Sequence, residues 1–226
     1  MSRTLARARA DLERARRDLH AWRAHEQEAR RENELAVNVP DDPAHLGDLA
    51  RELADERAVC STRSELAARG VHAAGERART AMRALLVEES KAEDAAARAA
   101  EREASRIRAR VGTLAAQIEA LEGVRYSAPD APSLTDGVYR GETITAPRSK
   151  SELLLESALT HRFRAAVLRY AAEHGRAPQW VRELDWMPGH ADGYGAVVFQ
   201  QVEPRWVPDL VAEATAYLDT AQAAAL

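Results

Sequence analysis

Seven histidines and one cysteine are the residues from which a catalytic or metal centre would have to be built. No two of the histidines stand four apart with a glutamate between them, so the zinc-binding helix motif of metalloproteases is absent. His25 and Glu26 are adjacent within a helical pattern and read as solvated surface. His190 and Asp192 lie two residues apart, with Glu183, Asp185 and Glu203 near in sequence, and only here could acid–base groups gather. The run His190-Ala-Asp192-Gly193 also has the composition of an exposed turn, which is the simpler expectation. Gly193-Tyr194-Gly195 is too short for a phosphate-binding loop and precedes an extended run instead of following one. Cys60 falls on an apolar helical stripe and is expected to behave as a small buried hydrophobe. A single cysteine excludes an internal disulfide framework and any multi-cysteine metal site. No catalytic residue, cofactor or metal is expected.

Basic residues offer a different chemistry. Of 32 Lys and Arg residues only Lys91 and Lys150 are lysine, and residues 1–31 carry nine arginines against five acids. Arg3, Arg7, Arg14 and Arg17 recur at helical spacing and could contact a row of phosphates. No aromatic residue stands beside them to stack on bases. The net charge of the chain is -4. A solvated or partner-paired helix flank is therefore the expectation, and nucleic-acid association the alternative.

The elements that would position these groups change character near residue 123. Before it lie most of the alanines, two prolines (Pro40 and Pro43) and one aromatic residue, Trp22. After it lie the remaining seven prolines and nearly all the aromatics. Leu5, Leu12 and Leu19 are seven apart, Ala8, Ala15 and Trp22 each follow by three, and Ala29 lies seven beyond Trp22, which places one stripe on one helix face. Residues 37–43 (VNVPDDP) break that helix, and Asp42-Pro43 suits the start of the next. A turn centred near residue 40 predicts an antiparallel hairpin in which Arg30 and Arg31 face Asp48 and Glu52, and Arg23 lies near Asp55 and Glu56. Gly70 and Gly75 then mark either a kink or a turn into a third helix. Ile107, Val111, Leu114, Ile118 and Leu121 follow in steps of four and three, the most regular heptad in the chain. The first helix is too short to cover all of 43–122, so part of this second stripe must bury itself elsewhere.

Beyond the linker-like stretch 127–137 (SAPDAPSLTDG), residues 138–145 read as a strand. Ser149 and Glu152 have the spacing of a capping box opening a helix to about His174, with Gly175 as its cap. A short helix is expected over Trp180–Trp186, an extended run over 194–202 and a last helix after Pro208. Trp180, Trp186, Tyr194, Phe199 and Trp206 are the expected core of this region.

Together these features predict a mostly α protein: a long helical hairpin or coiled coil over 1–122, a linker over 123–137, and a small α+β domain over 138–226. The expected role is structural: Leu5, Leu12, Leu19, Ile107, Val111, Leu114, Ile118 and Leu121 would carry self-association, and the C-terminal domain would bind another protein. A component of a larger phage or bacterial assembly fits that design. A possible polyanion contact at Arg3, Arg7, Arg14 and Arg17, or an enzymatic or toxin-like C-terminal domain centred on His190 and Asp192, are the alternatives. No run of 18 apolar residues and no apolar leader segment is present, so a cytoplasmic or within-assembly location without membrane contact is expected.

Overall fold

A computed structural model describes residues 3–33, 46–123, 137–139, 142–144, 149–185 and 201–218. It is mostly helical. Helix α1 spans Arg3–Asn33, α2 Leu46–Glu122, α3 Lys150–His174 and α4 Asp209–Leu218. Strands β1 (Gly137–Tyr139) and β2 (Glu142–Ile144) pair antiparallel, with Val138 opposite Thr143. The chain divides into two compact units, one of residues 1–88, 172–176 and 212–226, the other of residues 89–171 and 177–211.

In the first unit α1 and α2 lie antiparallel: Trp22 stands against Gly70, and farther along α1 Glu32 meets Arg63, 3.3 Å away. Leu5, Leu12 and Leu19 are buried, as are Ala8 and Ala15 between them and Ala29 beyond. Ala15 and Leu19 form one core with Ala74 and Ala78, against which Val71, Ala81 and Tyr217 pack. Alanine facing alanine removes the bulk that would otherwise hold two helix axes apart.

The register differs from the one that a turn near residue 40 implies. The partners of α1 lie roughly three to four helical turns farther along α2. Arg30 bonds Glu26 of its own helix at 2.8 Å, and Glu52, Asp55 and Glu56 are exposed. Exposed charge pairs stabilise by only about 0 to 1 kcal/mol, whereas burying a large apolar side chain stabilises by about 1.5–3 kcal/mol. The register therefore follows the small residues: Ala74 and Ala78 admit the buried Leu19, and Gly70 leaves room for Trp22, which stays 37% exposed. The break at 37–43 and the Asp42-Pro43 start lie outside the described residues.

Helix α2 runs without interruption through Gly70 and Gly75, so neither glycine is a turn. Gly70 is where Trp22 crosses: a Cβ at this position would overlap the indole.

In the second unit α3 runs antiparallel to α2. Ser90 Oγ donates to the Ala165 carbonyl at 3.0 Å, Glu93 meets His161 at 2.5 Å, and Glu101 meets Arg162 at 2.6 Å. Arg169 reaches back to Asp94 at 2.8 Å. The acids stand on α2 and the bases on α3. The capping box is formed: the Ser149 amide donates to Glu152 Oε2 at 2.7 Å, and the Glu152 amide to Ser149 Oγ at 3.2 Å. Phe163, Val167 and Tyr170, spaced by four and three along α3, are buried on one face of it.

An α+β C-terminal domain is not realised among the described residues. Their extended structure there amounts to β1, β2 and one bridge between Trp180 and Gln201, while 3-10 turns occupy Val181–Glu183 and Pro204–Trp206. The core expected from the tryptophans differs too. Trp180 is 38% exposed and Trp206 half-buried, its ring set edge-on to Phe163 with centroids 5.5 Å apart. Burial comes instead from α3 together with Val181, Leu184, Val202 and Val211. Trp186, Tyr194 and Phe199 lie outside the described residues, as does most of the linker expected over 123–137.

Candidate assembly surface

The surface with the clearest chemistry lies on the last turns of α2. Ile107, Val111, Leu114, Ile118 and Leu121 share one face there by their spacing. Its exposure follows from where α3 begins. Ala97 and Ala104, on the same stripe, are 1% exposed. At that level Lys150, the first residue of α3, is close enough for its charge to act on Glu103. Past it Ile107 is half-buried, Val111 is 42% exposed, Leu114 50% and Leu121 86%. The described part of α3 covers the stripe as far as its own N-terminal end and no farther.

Charges flank this stripe unevenly. Arg106, Arg108 and Arg110 are grouped at its start, Glu119 and Glu122 at its end. Arg106 bonds Glu103 one turn earlier at 2.7 Å. The hydrogen bond from Arg106 holds the Glu103 carboxyl below the usual glutamate range; burial opposes it, and the charges of Arg106 and Lys150 add to the lowering. Arg108, Arg110 and Glu122 make no ion pair among the described residues, and no residue three or four positions away on α2 carries the opposite charge.

The remaining expected site residues are dispersed. Leu5, Leu12 and Leu19 are buried inside the first unit, leaving the α2 stripe as the solvent-facing member of the assembly set. Arg3, Arg7, Arg14 and Arg17 are all exposed, but Asp11 sits between two of them, 3.8 Å from Arg7 and 3.9 Å from Arg14. The groove beside Arg7 and Arg14 also contains Asp18, Glu76 and Glu88, which offset its positive charge. Cys60 is a half-buried free thiol. His25 is exposed, 3.9 Å from Glu28, and its ring meets Trp22 edge-on. His190 and Asp192 lie outside the described residues.

Sequence reasoning missed one feature of the first unit. Arg16 of α1 pairs with Glu213 of α4 and lies over the Tyr217 ring, 5.0 Å from its centroid. Beside it Arg23, His72 and Arg79 rim a groove of about 380 Å³ with Leu19 and Val71 in its wall. No carboxylate lines this groove, so it holds no histidine–carboxylate pair for proton transfer. Nothing local in the sequence links Arg16 to Glu213, because they meet only through the tertiary fold.

Among the described residues no group of three or more His, Cys, Asp or Glu could hold a metal ion, and no helix is long and apolar enough to cross a membrane. Compared with models of known protein families, with curated proteins and with solved structures, the chain matches none of them.

Proposed function

We propose that this is an assembly protein. Its long helical region self-associates as a coiled coil, and its C-terminal region, 138–226, presents a binding surface to another protein. The single observation that supports this reading most is the exposed heptad on α2, where Val111, Leu114 and Leu121 face solvent while equivalent alanines earlier on the same helix are buried. An apolar helical stripe exposed to water is stabilised by docking against another one, by about 1.5–3 kcal/mol for each large side chain fully buried. Heptad spacing in steps of four and three is the pattern by which one helix inserts side chains between those of a second. Participation in a larger bacterial or phage assembly is an extension of this reading and rests on the architecture alone.

The test is the mass of the intact chain in solution. Light scattering should give a value above 24.8 kDa. Leu114→Arg, a change at a solvent-facing position, should return the mass to that of one chain while the helical circular-dichroism signal is kept. A single-chain mass at high concentration overturns the reading.

A further inference from the structure

We infer that the α2 stripe pairs with the same stripe of a second copy, the two helices running antiparallel; this rests on the self-association proposed above. The charge distribution decides the direction. Arg106, Arg108 and Arg110 stand at the start of the stripe, Glu119 and Glu122 at its end. A parallel pair in register would lay the arginine-bearing starts of the two stripes together and their glutamate-bearing ends together, and like charge grouped at both ends disfavours that pairing. Reversing the second helix brings the basic end of each copy to the acidic end of the other.

The positions also fit in detail. Arg108 directly follows Ile107 and Glu122 directly follows Leu121, so both occupy the same flank of the stripe, two heptads apart. Antiparallel helices pair residues of equivalent flank positions across the seam. Centred near Ala116, such a pairing sets Val111 against Leu121 of the second copy and Leu114 against its Ile118. The same alignment brings Arg108 to Glu122 of the second copy, and by symmetry the reverse. Neither Arg108 nor Glu122 has an ion-pair partner among the described residues, so the contact displaces none described. Because the same patch serves both copies, the interface closes on itself as a two-fold dimer and does not propagate into a filament.

The test uses the full chain and sedimentation velocity over a concentration series. Arg108→Glu and Glu122→Arg should each weaken dimerisation roughly tenfold, since each places two like-charged contacts in the interface. The combined variant Arg108→Glu/Glu122→Arg should restore it. Cysteine cross-linking in a Cys60→Ser background gives a second measure. A mixture of Val111→Cys and Leu121→Cys chains should cross-link, and either chain alone should do so poorly. A dimer indifferent to the charge exchange, or Val111→Cys chains that cross-link efficiently with themselves, overturns the antiparallel arrangement while leaving self-association standing. A chain that stays single at every concentration overturns both.

Discussion

The indole of Trp22 lies across Gly70, so closely that a single added methyl group on α2 would overlap its six-membered ring. This contact fixes the register of the α1–α2 pair more firmly than any ion pair between those helices, and it makes an unusual substitution pattern. Alanine in place of a mid-helix glycine ordinarily stabilises by up to about 1 kcal/mol. At position 70 the same change should destabilise, because overpacking costs about 1–3 kcal/mol. In a Trp22→Ala background the sign should reverse, and Gly70→Ala should raise the urea midpoint. Equal effects in both backgrounds would show that the indole does not occupy the notch.

Much of the local structure was legible because local chemistry decides it. Ser149 and Glu152 are three residues apart in any conformation, so their capping box could be read directly, and the end of α3 at His174 follows from Gly175. The register of α1 on α2 was not legible. Charge matching at 30–31 and 48–52 suggested one alignment, and the steric match of Trp22 to Gly70 imposed another. The continuity of α2 was also hidden, because Gly70 and Gly75 carry a known propensity cost while the packing that offsets it is remote in sequence. For the same reason the two apolar stripes, on α1 and on the end of α2, are not distinguishable by spacing. Which one faces solvent depends on where α3 begins beside Glu103, and no periodicity in α2 encodes that.

Acid should weaken α2 through two of its glutamates. A hydrogen bond from Arg79 and then its charge hold the Glu76 carboxyl below the ordinary range, and Arg106 does the same to Glu103. A carboxyl whose folded value is depressed stabilises the fold fully above its unfolded value, and that contribution fades as pH falls through the folded one. Wild type should therefore be slightly more stable than Glu76→Gln at about pH 6, and the gap should close on titration toward about pH 3. Denaturant midpoints of the two proteins across that range check it. A constant gap would mean that Glu76 acts through packing and not through charge.

Ser90 is a polar residue buried on the α2 face that α3 covers. Its hydroxyl donates to the Ala165 carbonyl at 3.0 Å and lies 3.4 Å from Arg169 Nη1, which also holds Asp94. Ser90→Ala removes one buried hydrogen bond and should cost about 1 kcal/mol. Arg169 keeps its carboxylate, so the loss should not grow further. Ser90→Val adds a branched side chain where the helices touch and should cost more, in the range of about 1–3 kcal/mol for an overfilled site. Unchanged stability in Ser90→Ala would remove the hydroxyl from any part in joining the two helices.

Gly175 ends α3 with a φ of +72°, a conformation that L side chains rarely adopt. A Cβ there would also approach the Leu218 carbonyl oxygen to 3.1 Å and the Leu218 Cβ to 3.2 Å, at the last described residue of α4. Two costs therefore combine in Gly175→Ala: about 1–2 kcal/mol for the left-handed backbone, and the displacement of Leu218, which is buried. Asparagine tolerates the backbone conformation better than alanine, so Gly175→Asn should recover part of the first cost and none of the second. The two are separated by thermal unfolding of both variants. Asparagine should unfold above alanine and below glycine if backbone and packing both contribute, whereas equal midpoints for alanine and asparagine would place the whole effect in the contact with Leu218.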